Sequence, residues 1–250
     1  MAKTIIYGIH AVESALRNDP ENIGTIWLEK NTRNDRLKKL QAQIAEVGGL
    51  KTTPADMEQL NKLSSTGRHQ GVVAEYYQAK DYTENDLYDL LDELDNDRIQ
   101  PFLLVLDGVT DPHNLGACLR TADGAGVHAV IAPKDNAASI NPTVRKVASG
   151  AAEAVPFIAV TNLARTLDSL KERGIWLTGT SDKAKQTLYQ ADLKGSMALV
   201  MGAEGTGIRR LTEERCDFLI SIPMCGQVSS LNVSVATGVC LYEALRQRQK

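Results

Sequence analysis

The chain has 250 residues, 43% of them hydrophobic, which is enough to bury one large core or two modest ones and argues against a disordered or fibrous protein. No run approaches the ~20 apolar residues that cross a bilayer, and the first residues lack a long apolar stretch ending at a cleavage site, so a cytoplasmic protein without a targeting or membrane segment is expected. The net charge of −3 is unevenly placed: residues 1–76 hold ten Lys/Arg and nine Asp/Glu (+1), residues 77–98 two and eight (−6), and residues 99–250 sixteen and fourteen (+2), so composition neither demands nor excludes a nucleic-acid partner.

In chain order, short apolar runs at 4–6, 25–28 and 71–74 alternate with helical patterns at 12–17, 36–47 and 55–63, which predicts a small α/β domain of three or four strands over residues 1–76. The acidic segment 77–98 carries a short leucine pattern (Leu87, Leu90, Leu91, Leu94) and reads as a linker with a solvated amphipathic turn or two. From residue 99 to 250, β-type runs at 102–106, 128–131, 156–160, 175–179, 197–201 and 218–222 are mostly separated by helical or glycine-rich segments, with helices expected at 114–124, 142–148, 163–173 and 232–248. That pattern predicts a second domain, an α/β fold with a mainly parallel sheet and helices on both faces, whose ligands sit beyond the carboxyl ends of the strands. Cys118, Cys216, Cys225 and Cys240 lack metal-ligand or disulfide-framework spacing and are expected as reduced thiols; no metal is implied.

Three constellations fall at such strand exits. Asp107-Gly-Val-Thr-Asp-Pro-His-Asn-Leu-Gly-Ala-Cys-Leu-Arg-Thr-Ala-Asp123 contains a helix start, with Asp111 as cap and Pro112 in the first turn, and a core stripe of Leu115, Leu119 and Ala122. Packing leaves Asn114 and Arg120 unexplained, because an amide and a guanidinium on a small, apolar helix need partners. Met201-Gly-Ala-Glu-Gly-Thr-Gly-Ile208 is a glycine-rich turn after an apolar strand. It lacks the position and spacing of a dinucleotide fingerprint and carries its own acid, Glu204, which argues against a nucleotide-dependent oxidoreductase. Ile222-Pro-Met-Cys-Gly-Gln-Val-Ser-Ser-Leu-Asn-Val-Ser-Val-Ala-Thr-Gly238 leads into a small-sided last helix, with Ser229 or Ser230 as its expected cap.

Together these residues resemble the three motifs of the SpoU (TrmH-like) class of SPOUT RNA methyltransferases, in order, over residues 102–246. Residues 6–16 and Arg68-His-Gln-Gly-Val72 are similar to the substrate-binding domain of the subgroup acting on guanosine in bacterial 23S rRNA. The resemblance implies a C-terminal trefoil knot, which strand alternation could not reveal, and a homodimer through the catalytic domains. It also implies S-adenosylmethionine as cofactor and 2′-O-methylation of a guanosine in the peptidyl-transferase region of 23S rRNA, as naked RNA or a ribosomal assembly intermediate. A tRNA ribose methyltransferase and a catalytically silent RNA-binding protein are the alternatives.

Carried onto this sequence, the family's polar site is Asn114, Arg120, Glu204, Ser230 and Asn232. The loops around Thr178, Gly179, Thr180, Gly202, Ile222, Met224 and Leu231 would hold the cofactor, largely through backbone groups. Because guanidinium pKa values exceed about 12, Arg120 is read as a phosphate clamp rather than a base. The proton then leaves through a phosphate oxygen, water or Glu204. Candidate RNA readers are His10, Arg68, His69 and Arg145, within a wider set of Arg33, Arg36, Lys38, Lys39, Gln70, Lys146, Arg209 and Arg210.

Overall fold

The computed structural model describes residues 2–18, 20–78 and 82–249. The chain divides into two compact units, Met1–Lys80 and Asp81–Lys250.

The first unit contains β1 (Ala2–Tyr7), α1 (Ile9–Asn18), β2 (Ile23–Glu29), α2 (Asp35–Val47), β3 (Thr52–Ala55), α3 (Met57–Ser64) and β4 (Val72–Gln78). Its sheet runs β1-β4-β2-β3, with β4 antiparallel to both neighbours and β3 parallel to β2. Val12, Leu16, Leu37, Leu40 and Ile44 from α1 and α2 pack with Ile26, Val72 and Ala74, whereas Leu60 of α3 packs with Val73 in a smaller cluster. Strand β3 was not foreseen, and residue 55, expected to open a helix, ends that strand. Asp56 starts α3 instead, through a capping box with Gln59.

The second unit begins with a helix where the sequence suggested a solvated linker. Residues 79–81 of that segment lie outside the described residues, but Glu84–Asn96 form α4, started by a Thr83–Asp86 capping box. Its Leu87, Leu91 and Leu94 are buried against Leu103, Val105, Ile131 and Ile158. The acidic residues colour only the outer face; a leucine stripe at helical spacing makes the helix part of this core.

There follow β5 (Phe102–Asp107), α5 (Pro112–Gly124), β6 (Ala129–Pro133), α6 (Pro142–Ala148), α7 (Ala151–Ala154), β7 (Phe157–Val160), α8 (Leu163–Glu172), β8 (Trp176–Thr180), β9 (Gln186–Thr187), β10 (Met197–Gly202), α9 (Arg210–Glu213), β11 (Phe218–Ser221) and α10 (Val233–Arg248). The seven strands pair in parallel in the order β7-β6-β5-β10-β8-β11-β9. The runs 102–106 and 197–201 of the central strands β5 and β10 are apolar because both faces are covered. Phe102, Leu104, Leu106, Met197, Leu199 and Met201 face α5 and α10, while Leu103, Val105, Ala198 and Val200 face α4 and α8. The four cysteines are free; burial pushes the Cys118 and Cys240 thiols up to about 11 and about 12. No described helix is long and apolar enough to cross a membrane.

Candidate active site

Beyond the carboxyl ends of β8, β10 and β11 lies a cavity of about 440 Å³, within the range of small-molecule sites. Its wall is formed by Thr180, by residues 201–208, by residues 220–222 and Met224, and by Ser229, Ser230, Leu231, Val233 and Ala236. The long loop before α10 thus returns beside the exits of β8 and β10. Ile220, Ile222, Met224, Leu231 and Val233 supply an apolar lining; Asp182, Lys183, Glu204 and Glu213 supply charge.

Glycine at 202 is a packing requirement. A Cβ there would lie 2.0 Å from the carbonyl carbon of Gly207 and 2.1 Å from the nitrogen of Ile208, so the chain leaving the turn crosses directly over the strand end. Between these points Ala203 and Gly207 exchange two backbone hydrogen bonds (3.1 and 2.9 Å), making residues 203–207 a minute hairpin with Glu204 exposed at its tip.

The polar residues converge through Asn232. This residue, rather than Ser229 or Ser230, caps α10: its Oδ1 accepts from the backbone N–H and the hydroxyl of Ser234 at 2.9 and 2.7 Å. An amide oxygen held that way turns Nδ2 outward, where it donates to Asn114 Oδ1 at 3.0 Å and to Glu204 Oε2 at 3.4 Å. Asn114 sits in the first turn of α5, whose start is fixed, as expected, by Asp111 accepting from His113 N–H at 2.9 Å. With its oxygen engaged, Asn114 has an amide N–H₂ that meets no acceptor among the described residues. One cap thereby joins the three sequence motifs.

The remaining candidates divide. Ser230 lines the cavity and is exposed. Arg120 stands two turns further along α5, exposed and without an ion-pair or hydrogen-bond partner among the described residues; it does not touch the Asn232 cluster. Of the expected cofactor residues, Thr180, Gly202, Ile222, Met224 and Leu231 line the cavity. Thr178 and Gly179 do not: both lie within buried β8, and a Cβ on Gly179 would meet the Cys216 sulfur at 2.7 Å. Sequence reasoning missed Ile220, Val233 and Asp182, although each adjoins a strand or helix terminus of the kind that frames such sites.

Two of the expected RNA readers are engaged within the fold. His69 is fully buried; its Nδ1 accepts from Gly71 N–H at 3.1 Å and its Nε2 meets Asn61 Oδ1 at 3.1 Å, so both ring nitrogens serve the fold. Arg145 is ion-paired with Glu153, both side chains largely covered. From the wider set, Gln70 takes a left-handed conformation (φ 54°) and accepts from Ile9 N–H at the start of α1, at 3.0 Å. Arg209 grips buried Asp107. His10 and Arg68 are exposed, as are Arg33, Arg36, Lys38, Lys39, Lys146 and Arg210.

A parallel sheet with a cavity at its carboxyl ends and three converging polar side chains defines an α/β ligand-binding domain of enzymatic type. The chain matches the SpoU rRNA Methylase family over residues 101–242, and a family described as RNA 2′-O ribose methyltransferase substrate binding over residues 5–82. It belongs to the SpoU rRNA methylase family.

Among its relatives, the 23S rRNA (guanosine-2′-O-)-methyltransferase RlmB of Ralstonia nicotianae is 59% identical over 244 residues, spanning 98% of this chain and 96% of that protein. The protein of the same description from Escherichia coli is 56% identical, spanning 98% of each. A solved RNA 2′-O ribose methyltransferase aligns with TM-score 0.59 and 26% identity, over 99% of this chain and 90% of that one. The SpoU methyltransferase AviRb of Streptomyces viridochromogenes, solved in complex with AdoMet, aligns with TM-score 0.61 over 99% of this chain and 91% of that one. At 22% identity, that likeness concerns the fold alone.

Proposed function

We propose that this chain transfers the methyl group of S-adenosylmethionine to the 2′-hydroxyl of a guanosine ribose in 23S rRNA. The observation that carries the reading is the Asn114–Asn232–Glu204 cluster at the cavity, in a chain that matches RlmB proteins nearly end to end. S-adenosylmethionine supplies an electrophilic methyl on a sulfonium sulfur. The cavity fits such a molecule: an adenine suits Ile220, Ile222, Met224 and Leu231, and main-chain groups of Gly202, Ile222 and Leu231 would hold it. No cluster able to hold a metal occurs among the described residues, and the chemistry asks for none.

The chain's own residues then have three tasks. The first is positioning, since in-line transfer depends on holding the ribose oxygen in place. The amide N–H₂ of Asn114, which meets no acceptor among the described residues, is a donor for a ribose or phosphate oxygen. The second is charge. The Arg120 guanidinium, exposed and without a partner among the described residues, is free to meet a flanking phosphate; roughly 9 Å separates it from Asn114 along the helix axis, a distance its long side chain spans in part. The third is the proton, for which Glu204, a cavity carboxylate steadied by Asn232, is the acceptor this reading favours, with phosphate and water as competing acceptors.

Pairing of two chains belongs to the same proposal. Helix α10 leaves Val235 and Tyr242 half exposed beside the small residues Gly124 and Gly238, a face suited to a second copy. The C-terminal trefoil knot is supported by the strand order, with β10 between β5 and β8 while α10 packs back against α5. A cytoplasmic location follows from the substrate.

The test is transfer of labelled methyl to total rRNA and tRNA, with mapping of alkali-resistant ribose methylation, for wild type and Arg120→Ala. A single Arg120-dependent site in 23S rRNA is expected. A tRNA site would keep the chemistry and overturn the substrate, whereas cofactor-independent RNA binding without transfer would favour a silent binding protein.

A further inference from the structure

Asp107 ends β5 with no solvent exposure, in register with Gly202 at the end of β10. A buried carboxylate needs compensation, and among the described residues this one takes it from a single residue about a hundred positions later. Its Oδ2 accepts from the backbone N–H of Arg209 at 3.0 Å, its Oδ1 accepts from Arg209 Nε at 2.6 Å, and a terminal guanidinium nitrogen completes the ion pair. Side chains on this strand alternate, and Asp107 falls on the face of Leu103 and Val105, where Ile208 also packs. The segment 207–209 therefore crosses the ends of both central strands, over Gly202 and then onto Asp107.

We infer that Asp107 and Arg209 form the clamp that positions the 203–207 hairpin, and through it Glu204 and one wall of the cofactor cavity; Arg209 is a positioning residue rather than an RNA contact. The hairpin has two ends. One continues directly from β10, and the other is held by Ile208 in the core and, one residue on, by the tie from Arg209 to Asp107. Because the carboxylate is buried and the guanidinium half exposed, the two partners are unequal. Removing Arg209 strands a buried charge, whereas neutralising Asp107 lets Arg209 turn to solvent and leaves an Asn oxygen to accept its backbone N–H.

The inference rests on the reading of the cavity as a cofactor site, and wild-type binding of S-adenosylhomocysteine measured by calorimetry tests that reading separately. If wild type fails to bind, the cofactor reading and this inference fall together. Given wild-type binding, Asp107→Asn is expected to weaken S-adenosylhomocysteine roughly tenfold and Arg209→Gln by more, while affinity for 23S rRNA in the absence of cofactor stays within about twofold.

The double variant should bind more tightly than Arg209→Gln alone, because it removes the stranded charge, and Arg209→Lys should recover part of the loss. Arg209→Lys keeps the compensating charge, so the inference can be tested even if Arg209→Gln fails to fold. Unchanged cofactor binding with weakened RNA binding in Arg209→Gln would overturn the clamp, as would additive losses in the double variant or a Lys variant no better than Gln.

Discussion

The loop 66–71 of the first unit and the loops 203–208 and 222–232 of the second treat their polar side chains in opposite ways. In the first, the polar groups turn inward: His69 satisfies Gly71 and Asn61, and Gln70 holds the start of α1. In the second, Asn232 donates to Glu204 and to Asn114 of α5, while the Glu204 and Ser230 side chains line a cavity. A polar residue in a loop is therefore a ligand contact only after its structural partners have been subtracted. In the first loop, that subtraction leaves Arg68.

The largest effect should come from Gly202→Ala, which attacks the geometry that makes the second set of loops possible. The atoms a Cβ would meet are backbone and cannot swing aside. A loss of about 4 kcal/mol or more is expected, seen as a collapsed thermal transition of the second unit and loss of S-adenosylhomocysteine binding. A variant that melts like wild type would show that residues 207–208 move off the strand end at little cost.

Asn232→Asp separates cap from bridge. The carboxylate still accepts from Ser234 N–H, so stability should change by less than about 1 kcal/mol, but the donor to Asn114 and Glu204 is gone and a like charge faces Glu204. Methyl transfer should fall on the order of 100-fold, measured as kcat on 23S rRNA. Equal losses in Asp and Ala variants, tracking their stabilities, would reduce Asn232 to a cap.

His69→Ala is the inward counterpart. It orphans Gly71 N–H and Asn61 Oδ1 and opens a void, so denaturant unfolding of the first unit should weaken by about 2–4 kcal/mol. RNA affinity measured below the transition should be nearly unchanged. An RNA defect without a stability defect would restore His69 as a reader.

Much of this was legible in the sequence because it is local. The runs at 102–106 and 197–201 are apolar without alternation, as strands covered on both faces must be, and Asp111 with Pro112 marks the start of α5. What was misread depends on context. The four-residue edge strand β3 contains a proline and two threonines and has no pattern long enough to register. Helix α4 was hidden by its acidic outer face, although its leucine stripe was visible. The sequence placed Asn114, Glu204 and Asn232 in three separate motifs, and only the fold shows that one amide joins them. His69 and Arg209 could not be sorted at all, since their direction depends on a left-handed Gln70 and on a carboxylate 102 positions away.

The smallest effect discriminates most finely. Arg68 shares its loop with His69, but its side chain is exposed and meets no partner among the described residues, while its backbone N–H donates to Thr66 Oγ1 at 3.3 Å. Arg68→Ala should therefore leave unfolding within about 0.5 kcal/mol of wild type. If the guanidinium meets one phosphate, the dependence of log affinity for 23S rRNA on log salt should flatten by about 0.7–0.9, uniformly across RNA sequences. A change confined to one RNA sequence would instead make Arg68 a base reader. Unchanged affinity and slope would mean that the loop's polar residues are all structural and that RNA capture by this unit rests on His10 and the basic face of α2.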